Sequence, residues 1–238
     1  MKNLKKSIPN IVTTLNLISG LAAMVFLFQG NFGAALILVL MAAFFDFSDG
    51  MLAHLLNAKS EFGKQLDSLS DAISFGVVPG FMAYLFLKLH LLFHPEWPVW
   101  ISYIGFTLTL FAIFRLARFN SDNSNKTSFT GLAVPAMALF ISSLIWYFIK
   151  HENTLSTWLE QLPIFISIIV LMNVLMVSRI GMFSLKFRNF SWKGNETRWI
   201  FLIISGILLL IFRLFALPLV ITIYVGISVV LFLLKKEL

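Results

Sequence analysis

"FFDFSDGMLAHLLNAKSEFGKQLDSLSDAISF", residues 44–75, carries four aspartates: Asp46, Asp49, Asp67 and Asp71. On both sides it runs into long apolar stretches. The chain is 59% hydrophobic and only 12% charged, with a mean hydropathy of +0.90. A soluble domain carries about a quarter charged residues. The sequence is therefore that of an integral membrane protein, and its aspartates sit where carboxylates are costly. There is no cysteine, which excludes disulfides and thiolate metal sites. The net charge of +7 follows from membrane topology, so no nucleic-acid partner is expected.

A spanning helix needs about 20 mainly apolar residues. Eight candidates are expected, near residues 11–28, 33–56, 66–89, 98–119, 131–150, 162–179, 198–213 and 216–234. Only Leu214 to Pro218 divides the last two, which reads as a helical hairpin or a re-entrant pair. Met1 to Lys6 is basic but leads into a long apolar run, and reads as a flank of the first span rather than a cleaved leader. Lys2, Lys5 and Lys6 suit an interfacial position against anionic headgroups.

The basic residues orient the bundle. Most of the 18 Lys and Arg residues fall in the N-terminus, the 2–3, 4–5 and 6–7 loops and the C-terminus; Lys88, Lys150 and Arg213 remain on the other side. The positive-inside rule places both termini and the aspartates at the cytoplasmic face. A multi-pass protein of the cell inner membrane is expected.

Asp46, Asp49, Gly50 and Ala53 follow an i, i+3, i+4, i+7 pattern, and Gly63, Asp67 and Asp71 an i, i+4, i+8 pattern. Each set occupies one helical face. A short connection makes the two helices an antiparallel hairpin, so the faces meet in one polar cleft. Four carboxylates at close range require cations. Hard oxygen donors favour Mg²⁺, Mn²⁺ or Ca²⁺ over zinc, and two divalent ions form a clamp for in-line phosphoryl chemistry. Gly50, Gly63 and Ala53 leave room for a bulky phosphate ligand.

The pattern D46-x2-D49-G50-x2-A53-x9-G63-x3-D67-x3-D71 resembles the signature of the CDP-alcohol phosphotransferases, whose members exchange the CMP of a CDP-linked lipid for an alcohol. One position departs: His54 stands where the family usually has Arg. "IPNIVTTLNLISG" (8–20), "SFGVVPG" (74–80), "FRLARFN" (114–120), "FTGLAVPAMAL" (129–139) and "MFSLKFRNFSWKGN" (182–195) are similar to the serine-using bacterial branch of that family. Ala133 departs from the usual GLP-x-P of the fourth stretch.

The resemblance implies an all-α polytopic bundle. A six-helix CDP-alcohol phosphotransferase core fills residues 1–198, with the signature at 46–71 and two further transmembrane helices in 199–238. It implies transfer of the phosphatidyl group of CDP-diacylglycerol to L-serine, with two divalent ions (Mg²⁺ or Mn²⁺) on Asp46, Asp49, Asp67 and Asp71. Asp71 is then the general base, and a homodimer embedded in membrane lipids is expected.

Asn10 and Thr13, in a PNxxT pattern common in the family, line the nucleotide pocket or cap the first span. Gly50, Ala53, Gly63 and His54 face the CDP-lipid. Arg115 and Arg118 are candidates for the serine carboxylate or a phosphate, since a guanidinium fork suits either; Arg118 is favoured. Lys59 and Lys64 lie in the turn beside the cleft. Three other readings remain: glycerol 3-phosphate or inositol phosphate as acceptor, a weakly active relative because of His54, and a transporter. The last is disfavoured because the chain shows no inverted repeat and the acids cluster at one end. His90 and His94 have metal-like spacing but lie on the opposite side of the membrane, as a surface pair.

Overall fold

The computed structural model describes residues 2–58, 60–121, 129–151, 161–183, 192 and 195–234. Among the described residues eight apolar helices follow one another: α1 (Lys2–Phe28), α2 (Phe32–Leu55), α3 (Glu61–Phe93), α4 (Val99–Ser121), α5 (Val134–Lys150), α6 (Leu162–Val177), α7 (Glu196–Phe212) and α8 (Leu217–Leu233). They occupy the eight expected places. Ser7–Phe28, α2, α3, α4 and the continuous stretch Glu196–Leu233 are long and apolar enough to cross a membrane; α5 and α6 are shorter apolar helices. This is a polytopic all-helical membrane protein. Its one extended feature among the described residues is a two-residue antiparallel ladder, β1 (Phe129–Thr130) on β2 (Gly181–Met182).

Two helices run longer than their apolar stretches. α1 starts at Lys2, so the basic residues extend the first helix as one rod, with Pro9 inside it. α3 starts at Glu61 because Ser60 caps it: the Ser60 hydroxyl accepts from the Gly63 N–H at 3.0 Å, the usual role of serine at a helix start. α7 and α8 are separate helices in mutual contact. They are divided by a short 3₁₀ turn at Arg213–Ala216, where Arg213 takes a positive φ of 52°.

The helices are built for a lipid solvent. Along α1, Ile11, Leu15, Ile18, Leu21 and Val25 are exposed, while Thr13, Asn16, Ser19, Gly20 and Ala23 are buried. The apolar stripe faces outward and the small and polar stripe faces the bundle, the reverse of a soluble helix. α1 packs along α2 and against the first half of α3. Gly20 permits the latter contact: a Cβ there would fall 2.3 Å from Ser74 Oγ and 2.9 Å from Ser74 Cα.

The core joins α3, α5 and α6 around Phe75, Met82, Met137, Ile141, Phe165 and Ile169, all fully buried. Phe86 and Phe165 meet edge to face at 4.8 Å. α8 packs on α5 and on β2, so the last helices belong to the same body.

α3 is not uniform. Residues Ala72–Val77 form a π-helical turn directly after Asp71, with the Val78 N–H bonded back to Ile73 O. Such a turn frees a carbonyl from the ladder. Here the Gly76 carbonyl accepts from Thr109 Oγ1 of α4 at 2.9 Å.

Candidate active site

α1 packs against both α2 and the start of α3, and the acidic faces of those two helices converge beside it. Carboxylate oxygens of Asp46, Asp49 and Asp67 come within 4.8 Å of one another. Asp49 is buried, while Asp46 and Asp67 are half-buried. The spacing read from the sequence thus brings the two acidic faces together. Asp71, also buried, sits one turn deeper on α3 and within electrostatic range of the other three. It takes a partner of its own: Asn16 Nδ2 of α1 donates to Asp71 Oδ1 at 3.1 Å. Asn16 is fully buried, and its backbone carbonyl accepts from Ser74 Oγ at 3.0 Å.

Asp49 Oδ2 and Asp67 Oδ1 are buried and find no hydrogen-bond partner among the described residues. Buried carboxylate oxygens are normally satisfied. Two orphans in a converging set of like charges could hold a cation. The donors are all hard oxygens, which fits a divalent ion such as Mg²⁺ or Mn²⁺.

Beside the carboxylates lies a cavity of about 520 Å³, within the range of ligand pockets. Asn10, Thr13, Asp49, Gly50, Ala53, Gly63, Lys64 and Asp67 line it. The two glycines serve it differently. A Cβ at Gly50 would meet nothing within 4 Å and would enter the open space; one at Gly63 would meet Asn10 Oδ1 at 2.9 Å and Ser60 Oγ at 3.0 Å. Gly50 keeps the cavity empty, and Gly63 lets α1 approach α3. Thr13 is buried, bonds Pro9 O at 3.0 Å and lies beside the Asp49 carboxylate. Asn10 and Thr13 both stand on the cavity wall.

His54 is exposed at the end of α2 and does not line the cavity. Lys64 is exposed, lines the cavity, and donates to Asn120 O at 3.4 Å. Lys59 lies outside the described residues, as does most of the 182–195 stretch.

The two arginines differ sharply. Arg118 is exposed and donates from Nη1 to Val177 O, at the end of α6, at 3.3 Å. Arg115 is half-buried, and its Nε is buried without a partner among the described residues. Both line a second, smaller recess with Thr130, Met176 and Ser178. Far from these sites His94 bonds Glu96 at 3.0 Å and stacks on His90 at 4.6 Å, a surface arrangement.

Sequence reasoning missed Asn16 and Asn120. Asn120 Nδ2 donates to Ser68 Oγ at 2.7 Å, which pins the end of α4 to α3 one residue from Asp67. Asn16 carried a signal: it lies on one face with Thr13 and Gly20, a polar residue inside an apolar span.

The sequence is similar to those of known proteins. The chain is 35% identical over 182 residues to the CDP-diacylglycerol–serine O-phosphatidyltransferase of Helicobacter pylori (strain ATCC 700392 / 26695), covering 72% of this chain and 70% of that protein. It is 35% identical over 145 residues to the Bacillus subtilis (strain 168) protein of the same name, covering 58% of this chain and 76% of that one. It is also 36% identical over 143 residues to the archaetidylserine synthase of Methanothermobacter thermautotrophicus, covering 58% of this chain and 57% of that one. Residues 6–172, which contain all four aspartates, match the family model described as CDP-alcohol phosphatidyltransferase, and the chain belongs to that family.

Proposed function

We propose that this protein transfers the phosphatidyl group of CDP-diacylglycerol to the hydroxyl of L-serine, giving phosphatidylserine and CMP. The names of its relatives support the two substrates. The observation that carries the chemistry is the convergence of Asp46, Asp49 and Asp67 within 4.8 Å at the edge of a cavity roomy enough for a nucleotide head.

The family is divalent-metal dependent in general. Asp46, Asp49, Asp67 and Asp71 would hold two such ions, Mg²⁺ or Mn²⁺. When bound, the ions supply charge neutralisation on the pyrophosphate and on the departing CMP.

The chain's own residues do the rest. The cavity takes the CDP head, with Asn10 and Thr13 on the nucleotide side and Gly50, Ala53 and Gly63 giving the phosphates room. His54, which does not line it, takes no part, and the acyl chains stay in lipid. Asp71 accepts the proton of the serine hydroxyl as general base. The serine oxygen bonds to the phosphorus that bears diacylglycerol, and the bond from that phosphorus to the CMP oxygen breaks. Asn16 fixes the Asp71 carboxylate for this. Arg115 and Arg118 hold the serine carboxylate on the far side of Asp71.

The same reading makes residues 1–198 the catalytic core and 199–238 an added transmembrane pair. It gives eight crossings of the inner membrane, with termini and site on the cytoplasmic side, and a homodimer. The test is turnover by purified protein in detergent with CDP-diacylglycerol, Mn²⁺ or Mg²⁺ and labelled L-serine, with glycerol 3-phosphate and inositol phosphate in parallel. Phosphatidylserine and CMP, lost on chelation and in Asp71→Asn, are expected. Turnover with another alcohol and none with serine overturns the acceptor; turnover in excess EDTA overturns the metal role.

A further inference from the structure

The π turn Ala72–Val77 directly follows Asp71, and two hydroxyls tie it to the neighbouring helices. Serine and threonine hydroxyls along these helices mostly donate back to their own helix, as those of Thr13, Ser19, Ser70 and Thr222 do. Ser74 and Thr109 instead cross to another helix, and both serve this turn. Ser74 Oγ, inside the turn, donates to Asn16 O of α1 at 3.0 Å. Thr109 Oγ1 of α4 donates to Gly76 O of the turn at 2.9 Å.

The turn needs donors from outside. The Val78 N–H reaches back five residues to Ile73 O, and Pro79, the next residue, has no N–H to give. Gly76 is buried, and between transmembrane helices no water answers a freed carbonyl. α4 can bring Thr109 to it because glycines line the crossing. A Cβ on Gly80 would overlap Thr109 Oγ1, and one on Gly105 would lie 2.5 Å from Tyr84 N. Small residues let helix backbones approach in this way.

These ties lead to the carboxylate of Asp71. Asn16 takes the Ser74 hydroxyl on its backbone carbonyl and gives its side-chain N–H to Asp71 Oδ1 at 3.1 Å. Asp71, Ser74 and Asn16 thus form a closed loop of contacts, all three residues buried. Thr109 secures the same turn from the opposite helix and does not line the substrate cavity.

We propose that Thr109 and Ser74 are positioning residues for proton transfer: by pinning the turn between α4 and α1 they hold the Asp71 carboxylate in the direction that Asn16 sets. This rests on the reading above, in which Asp71 is the general base.

The experiment measures kcat, the KM for each substrate and the thermal midpoint in Thr109→Val, Thr109→Ser, Ser74→Ala and Thr107→Val. Thr109→Val keeps the shape and loses the donor. Its kcat is expected to fall about tenfold, the effect of one hydrogen bond of ordinary strength, with KM for CDP-diacylglycerol and L-serine within about twofold of wild type. Thr109→Ser recovers kcat to within about twofold of wild type, and Ser74→Ala loses as much as Thr109→Val. Added to Asn16→Leu, Thr109→Val lowers kcat less than about twofold further, because residues acting along one path are not additive. Thr107→Val removes the α4 hydroxyl that accepts from Asn173 Nδ2 at 2.7 Å, away from the turn. It lowers the midpoint and keeps kcat.

A wild-type kcat in Thr109→Val or in Ser74→Ala overturns the proposal. So does a Thr109→Ser that recovers nothing, or a double variant whose losses multiply. An equal fall of kcat in Thr107→Val would make the effect a general loosening of α4 and overturns it too. If Thr109→Val does not accumulate as folded protein, Ser74→Ala decides, alone and added to Asn16→Leu, by the same criteria. Turnover with another alcohol in place of serine removes the acceptor only, and the same variants measured on that alcohol still decide. A wild-type rate kept in Asp71→Asn removes both this proposal and the reading beneath it.

Discussion

Asn16 of α1 donates to Asp71 of α3 at 3.1 Å, across 55 residues of sequence, and both side chains are buried. The contact engages one carboxylate oxygen of Asp71, the general base of the proposed reaction. A hydrogen bond to a charged group contributes about 1.5–3 kcal/mol, so Asn16→Leu is expected to lower kcat about 10- to 100-fold. KM for CDP-diacylglycerol and the affinity for Mn²⁺, followed by its spin-resonance signal, stay near wild type. A fall in Mn²⁺ affinity of the same size would show Asn16 acting on the ion site instead.

Gly50 and Gly63 predict opposite failures. Gly50→Ala puts a methyl group into open cavity, where nothing lies within 4 Å. Its thermal midpoint is expected to match wild type while KM for CDP-diacylglycerol rises several-fold. Gly63→Ala drives a methyl against Asn10 and the Ser60 cap. Overpacking of this kind costs about 1–3 kcal/mol, so that variant loses thermal stability before substrate is added. Unfolding curves with and without CDP-diacylglycerol separate the two.

The carboxylate cluster opposes folding when no cation is present. Asp67→Asn removes one of three converging charges. In EDTA its melting temperature is expected to rise by about 2–4 °C, the shift that ~1 kcal/mol gives in a chain of this size. Its gain on adding Mn²⁺ shrinks, and activity is lost. A lower midpoint in EDTA would mean that the carboxylates are paired within the protein.

His54 is exposed and stands off the cavity wall. Surface substitutions change energies by about 0.5 kcal/mol or less, so His54→Arg should alter kcat/KM by about twofold at most. A gain of tenfold or more would show that the missing guanidinium contacts substrate.

Gly20 sets the distance between α1 and α3. Gly20→Leu places a side chain where Ser74 already lies. It is expected to separate the helices, break the Ser74–Asn16 bond and abolish activity together with thermal stability, whereas Asn16→Leu keeps the fold. Detergent-phase unfolding of the two variants side by side checks this.

The helices were legible because lipid imposes a simple rule: about 20 apolar residues bounded by polar or basic ones. The acidic faces were legible because helical spacing alone determines which residues share a side. What stayed hidden depended on which helix stands next to which. Asn16 meeting Asp71, Asn120 meeting Ser68 and Tyr224 reaching Phe183 join residues 41 to 55 positions apart, and no local period encodes them. Arg118 was favoured over Arg115 from its motif. The two lie three residues apart, and only packing makes Arg115 the half-buried one. The π turn was equally hidden, since AISFGV has no composition that distinguishes it from a regular helix.

That turn, Ala72–Val77, lies between the half of α3 that bears Asp67 and Asp71 and the half that bears the buried Met82 and Phe86. An α-helix advances about 100° per residue, so the extra residue of a wide turn works as a rotary joint set at one angle. It lets a single rod present carboxylates to the cleft at one end and a close-fitting apolar seam to the bundle at the other. Deleting one residue from the turn would turn the lower half of the rod by about a quarter circle under an unchanged set of aspartates. The length of this joint, more than its side chains, sets the bearing of the catalytic end on the rest of the protein.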